Sequence, residues 1–174
     1  RPVRFPSERP ARRQPVKVTI AAIGRLKAGP EREILDRYLK RAEAAGRRLG
    51  LAFAIREMPE SRASSAVQRK DQEAAVLLGI SPPGAPIVAL DENGRSLASH
   101  AFAARLADWR DRGVAEVTFV VGGADGLGQE LLGRADLTLA LGAMTWPHQL
   151  VRIMLAEQFY RAVTILAGHP YHRE

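Results

Sequence analysis

The sequence predicts an α/β fold: a single domain built on a largely parallel, five-stranded sheet. From Val16 onward, short apolar runs alternate with amphipathic helical stretches, the pattern of strand and crossover helix repeated along a chain. Glycine, proline and serine punctuate the boundaries. At 174 residues the chain is long enough to bury one core without metals or disulfides as staples.

VKVTIAAI, from Val16 to Ile23, reads as the first strand; Gly24 ends it and a loop runs to Pro30. The stretch from Glu31 to Ala45 sets Ile34, Leu35, Tyr38, Leu39 and Ala42 on one stripe, with acids early and basic residues late, as a helix dipole favours. LAFAIREM, from Leu51 to Met58, makes a second strand. Ser64 and Ser65 can cap a helix through about Leu78, which Ser81, Pro82, Pro83 and Gly84 stop. A third strand, Pro86 to Asp91, runs into a turn at Glu92, Asn93 and Gly94, and Ser96 or Ser99 then caps a helix that carries Phe102, Leu106 and Trp109 on one face. EVTFVV, from Glu116 to Val121, is apolar on both faces and so belongs at the centre of the sheet. After GGADGLG come a short helix, Gln129 to Ala135, and a last strand, Leu137 to Leu141. The GAMTWPHQ loop then leads into a long helix, Leu150 to Leu166, with almost no wholly polar face. That composition predicts burial on several sides, against its own domain and a second subunit.

Cysteine is absent, which excludes a thiol nucleophile, a thiolate metal site and a disulfide scaffold. His100, His148, His169 and His172 form no HExxH-type pair, so no metal is expected. Arg152, Glu157 and Arg161 interrupt the best candidate for a membrane span, and the N-terminus lacks a signal-peptide core. A cytoplasmic protein without membrane association is expected. The formal charge of +7 and a pI near 10.5 suggest a polyanionic partner. Much of the charge sits in residues 1 to 15, with five arginines (Arg1, Arg4, Arg9, Arg12, Arg13) against Glu8. This proline-rich stretch is expected to be a flexible basic arm, either tracking RNA phosphates or serving as a simple leader. Residues 16 to 174 form the domain.

In open α/β sheets ligands bind beyond the carboxyl ends of the strands, so the informative loops are Leu90 to Gly94, Gly122 to Gly128 and Gly142 to His148. Their glycines let backbone groups approach a flat ligand. GGADGLG does not fit GxGxxG, no Walker lysine follows, and a ligand-free tight turn explains it equally well. Asp91 and Asp125 are candidate bases or turn caps. Pro147 and His148 can start the last helix with free N–H groups aimed at a polar ligand edge. The terminal HPYHRE is either a frayed end or a cluster suited to gripping an unstacked nucleotide.

These residues carry a resemblance. Leu90-Asp91 with Gly94, Gly122-Gly123 with Gly126-Leu127, and then Thr145, Pro147-His148-Gln149-Leu150, Arg152, Glu157-Gln158, Tyr160-Arg161-Ala162 and Pro170-Tyr171-His172 resemble the bacterial 23S ribosomal RNA pseudouridine N3-methyltransferase family. That family lies within the SPOUT superfamily of RNA methyltransferases, and the likeness runs from about Val16 to Glu174. It implies a C-terminal deep trefoil knot, against the general rule that chains avoid knots. It also implies a homodimer with the terminal helix at its interface, S-adenosylmethionine as cofactor, and 23S rRNA, within the ribosome or its large subunit, as partner.

Carried over by position, Leu90, Gly123, Gly142, Ala143, Met144, Thr145, Trp146 and Pro147 are the implied cofactor site. Tyr171, His172 and Arg173 are the candidates for the substrate side, with Arg152 as a phosphate or nucleotide contact. The imide proton goes to a base or to water, and His172 is the candidate base because an imidazole ordinarily titrates near neutrality. Trp146 stands where phenylalanine or leucine is expected, and Gly142 where serine is common, which removes a hydroxyl from the cofactor loop. Two alternatives share the fold: a non-catalytic ribosome-binding assembly factor, and a methyltransferase acting on another RNA.

Overall fold

The computed structural model describes residues 14–172. The basic arm over residues 1 to 15 lies outside them apart from Gln14 and Pro15, as do Arg173, Glu174 and the side chain of His172. In chain order the elements are β1 (Val16–Ile23), α1 (Pro30–Gly46), β2 (Leu51–Met58), α2 (Ala66–Ile80), β3 (Ile87–Ser96), α3 (Ser99–Asp111), β4 (Glu116–Val121), α4 (Gln129–Arg134), β5 (Leu137–Ala140) and α5 (His148–Ala167), with a closing 3-10 turn at Pro170–His172. The sheet runs β2-β1-β4-β3-β5 and each neighbouring pair is parallel. β4 is therefore the central strand, as its two apolar faces require.

Alternation along β1 sorts the core into two layers. Val18, Ile20 and Ala22 face the layer that includes Leu35 and Leu39 of α1, Phe102 and Leu106 of α3, and Leu155 and Phe159 of α5. Ala21 and Ile23 face Ala74 and Leu77 of α2 and Leu131 of α4. The first layer is thick with rings: Phe159 stacks on Phe102 at 6.1 Å and meets Phe119 edge-on at 5.0 Å. Such pairs contribute about 0.5–1.5 kcal/mol each beyond the area they bury. α5 spends one stripe on this layer. Its other apolar side chains, among them Leu150, Ile153 and Met154, stay exposed or half-buried.

Two boundaries differ from the sequence expectation. β3 does not turn away at Asp91; it bulges. Leu90 and Arg95 both register with Leu139, and Arg95 and Ser96 resume the ladder, while the Asp91 carboxylate accepts from the Asn93 N–H at 2.9 Å inside the bulge. Neither Ser96 nor Ser99 caps α3, whose N-cap is Ala98. Ser99 instead donates to Gln158 of α5 at 2.9 Å. Ser65 does cap α2, accepting from the Gln68 N–H.

One polar cluster penetrates the core. Arg152, four residues into α5, is 1% exposed. Its Nη1 donates to the Gly24 carbonyl at 2.8 Å and to Glu57 at 2.9 Å, and its Nη2 to the Ile23 carbonyl at 2.9 Å. Glu57, at the end of β2, also receives the Arg32 guanidinium and the Leu26 N–H. Burial pushes the Glu57 carboxyl up, but Arg32, the Leu26 amide and Arg152 outweigh it and hold it below its ordinary value of 4.5.

Arg152→Ala strands two carbonyls in the core and removes one of the two guanidinium partners of Glu57, and should cost about 3–5 kcal/mol in urea denaturation. Because the folded Glu57 value is depressed, its contribution is complete above pH 4.5, the ordinary value, and is lost as pH falls through the lower folded value. Glu57→Gln should correspondingly flatten the acid limb of a stability-versus-pH curve.

Candidate functional site

Beyond the carboxyl ends of β3, β4 and β5 lies a cavity of about 1080 Å³, where an open parallel sheet places its ligands. Its wall includes Leu90, Gly123, Gly142, Met144, Thr145, Trp146 and Pro147. Seven of the eight residues expected to hold a cofactor therefore converge from three separate loops; Ala143 is not on the wall.

Backbone geometry shapes this space. The Gly123–Gly126 turn closes through the Gly126 N–H to the Gly123 carbonyl at 3.1 Å, and a Cβ on Gly122 would stand 2.8 Å from backbone atoms of Gly126. The turn is clamped from outside, since Arg69 of α2 donates to both oxygens of Asp125 at 2.7 and 3.1 Å. The guanidinium holds the Asp125 carboxyl below its usual range. Asp125 thus anchors its turn with both oxygens held by Arg69, and Asp91 anchors the bulge through one oxygen.

On the opposite wall Gly142 has φ 115°, a conformation that a serine would rarely adopt. The hydroxyl is given up where the turn needs glycine. The β5–α5 loop is then pinned twice: Trp146 Nε1 donates to the Leu141 carbonyl at 3.2 Å, and the Thr145 hydroxyl bonds the Glu92 carboxylate in the β3 bulge.

Lys70 and His148 also line the cavity, and sequence reasoning does not assign either to the cofactor. The signal for Lys70 was out of reach, because α2 meets the glycine loop only through tertiary packing, as in the Arg69–Asp125 pair. Burial, and then the nearby Arg152 charge, lower the His148 imidazole below its ordinary 6.5, so it is neutral at physiological pH.

Of the residues expected on the substrate side, Arg152 and Tyr171 are not gathered here, and Arg173 and the side chain of His172 lie outside the described residues. Arg152 lies beneath the loop with its Nη groups committed to Ile23, Gly24 and Glu57, so in this structure it braces the site and makes no outward contact. Tyr171 folds back along α5: its hydroxyl donates to Glu157 at 3.3 Å, its ring lies 4.6 Å from Tyr160, and the Arg161 guanidinium sits 5.4 Å from its centroid. Burial, a hydrogen bond with Tyr38 and the Glu157 charge raise the Tyr171 phenol above its usual range, keeping it neutral. From His148 to Glu157 is nine residues of helix, about 14 Å. A second cavity, about 530 Å³, lies between these places, walled by Gly142 at one end and by Tyr38, Met154 and Glu157 at the other. Among the described residues no group of three or more His, Asp or Glu side chains is placed to hold a metal ion, and no helix is long and apolar enough to cross a membrane.

The family model described as "Predicted SPOUT methyltransferase" matches residues 16–172. The chain is 57% identical over 159 residues to the "Ribosomal RNA large subunit methyltransferase H" of Nitrobacter hamburgensis, covering 91% of this chain and 99% of that protein. It is 54% identical, with the same coverage, to the protein of that name from Bradyrhizobium diazoefficiens.

Gly122→Ala drives a methyl group into the Gly126 backbone. It should destabilise the fold by about 1–3 kcal/mol and weaken binding of S-adenosylmethionine at least tenfold in calorimetry. Gly133→Ala on α4, where a Cβ meets open space, should do neither.

Proposed function

Because this chain belongs to the SPOUT methyltransferase family, we propose that it transfers the methyl group of S-adenosylmethionine to N3 of a pseudouridine in the 23S rRNA of the large ribosomal subunit, in the cytoplasm. The observation that carries this proposal is the convergence of Leu90, Gly123, Gly142 and Met144 to Pro147 on one cavity, in a chain more than half identical to large-subunit rRNA methyltransferases. The cavity suits the donor. Gly122 leaves backbone where a Cβ would intrude, and Leu90, Met144 and Trp146 offer apolar surface to a flat adenine. The loop carbonyls and N–H groups can read its edges.

When bound, the sulfonium supplies a methyl already activated for attack: the N3–CH3 bond forms as the S–CH3 bond breaks, S-adenosylhomocysteine remains, and the imide proton is released. The chain's own contribution is therefore mainly positioning. Thr145 and Trp146, tied to Glu92 and Leu141, fix the loop against which the donor rests. Arg152 fixes the start of α5 behind it. His172 is the proposed acceptor of the imide proton, since an ordinary imidazole titrates near neutrality. Tyr171 and Arg173 orient the nucleotide.

The separation between Tyr171 and the cofactor cavity within one chain supports a homodimer in which a second copy brings its terminus to this site. The half-buried apolar stripe of α5 and the exposed Met144 and Trp146 are the surfaces available for that contact. The trefoil knot finds support in the path of α5. The chain leaves β5 at one edge of the sheet, yet Arg152 reaches the end of β1 on the far side of β4.

Incubating the protein with S-adenosylmethionine and unmethylated ribosomes should add one methyl to a single 23S fragment in mass spectrometry. Absence of that methyl, with no heat of cofactor binding, would instead mark a non-catalytic ribosome-binding protein. His172→Ala should slow single turnover by about 10²-fold or more; an unchanged rate at every pH tested removes it as the base.

A further inference from the structure

Two loops at the carboxyl edge of the sheet, 24–29 after β1 and 59–65 after β2, take no part in the cofactor cavity, yet the structure holds them firmly. The Gly24 N–H donates to the Met58 carbonyl at 2.7 Å, joining the loops at their base. Arg32 holds the Leu26 carbonyl at 2.8 Å. Glu73, 6% exposed, accepts from the Ser61 N–H at 2.9 Å, and Arg69 holds the Ala63 carbonyl at 3.1 Å.

The acids that anchor these loops, Glu57 and Glu73, point inward and are committed to amides or guanidinium groups. The outer face is left with Arg25, Lys27 and Arg62, each exposed and none engaged in an ion pair among the described residues. Glu60 is the single acid within the two loops, and its carboxylate rests against Gly24. Fixed loops with unpaired cations are pre-organised for a polyanion, because ordering them costs little when the partner arrives.

The face also leads to the cavity. Arg69, which holds the second loop, is paired with Asp125 on the cavity wall, and the next residue, Lys70, lines that wall. Arg152 joins the first loop to the turn that starts α5, where His148 lines the same space.

We propose that loops 24–29 and 59–65 form a phosphate-binding shelf, with Arg25, Lys27 and Arg62 contacting the backbone of the RNA whose target base enters the cofactor cavity. The shelf rests on the reading of this protein as an rRNA methyltransferase and adds to it the surface along which the substrate lies. Its contacts are with phosphate, so they contribute affinity and register without reading bases.

The test is the triple variant Arg25→Gln, Lys27→Gln, Arg62→Gln, compared with Lys17→Gln, Arg48→Gln, Arg112→Gln, which removes the same charge from the opposite edge of the sheet. Binding to unmethylated ribosomes is measured across a salt series, alongside calorimetry with S-adenosylmethionine and methyl transfer across a ribosome titration taken to saturation. The shelf variant should lower the slope of log K against log salt by about 2, as expected for three lost phosphate contacts. Its KM should rise at least tenfold, while cofactor affinity and kcat hold. A wild-type slope, or an equal loss in the control variant, overturns the shelf. Failure of the wild-type protein to methylate rRNA while the slope still falls overturns the enzymatic reading and leaves the shelf in place.

Discussion

The fold turns on a single guanidinium. Parallel strands end with carbonyls aimed at whatever covers their carboxyl edge, and at the end of β1 the cover is Arg152. A planar group with five donors in a fixed fork satisfies two carbonyls and a carboxylate at once from two nitrogens held in one plane, which no apolar side chain could do. An ion pair so deeply buried need not add net stability over a well-packed apolar replacement. Its value is geometric. It sets the axial position of α5 against β1 and β2, and through α5 it sets the height of the loop that precedes it.

The proposed cofactor cavity inherits its form from that position. It is shaped by close backbone approach at Gly122 and by the two pins on Thr145 and Trp146. Ion pairs stiffen the loops around it: Arg69 neutralises Asp125 on the wall itself, and Arg32 and Arg152 neutralise Glu57 behind it. A site of this kind recognises a donor by shape and leaves the acceptor to be placed by other parts of the molecule.

Much of this was legible in the sequence because the periodicities are strong. β1, β2 and β4 begin and end where their apolar runs do, and the two-faced apolarity of EVTFVV located the central strand. That the three loops would meet at one cavity was legible only through a family motif, with no local property of GGADGLG to set it apart from an ordinary turn. What escaped was long-range. Ser99 reads as a helix cap by neighbourhood, but α5 brings Gln158 to it from 59 positions away. Arg152 reads in the sequence as a phosphate or nucleotide contact; only the crossing of α5 over the sheet gives it two carbonyls and Glu57 to hold. The bulge at Asp91 to Gly94 looks like a turn until β5 arrives to pair on both sides of it.

The position of Arg152 in chain order has a consequence for synthesis. β1 and β2 can pair as soon as residue 58 is free of the ribosome, but β1 then waits for β4, whose Glu116 registers with Lys17. The carbonyls of Ile23 and Gly24 wait longer still, for a residue in the last helix. Until α5 arrives, the nascent sheet exposes an apolar layer meant for Leu155 and Phe159 and keeps Glu57 without one of its two guanidinium partners. Contacts that far apart in the chain make a slow final step, so the fold closes only after α5 has been synthesised. A chain stopped before α5 would lack the helix, its bracing arginine and the far anchor of the β5–α5 loop together, leaving the proposed site unbuilt.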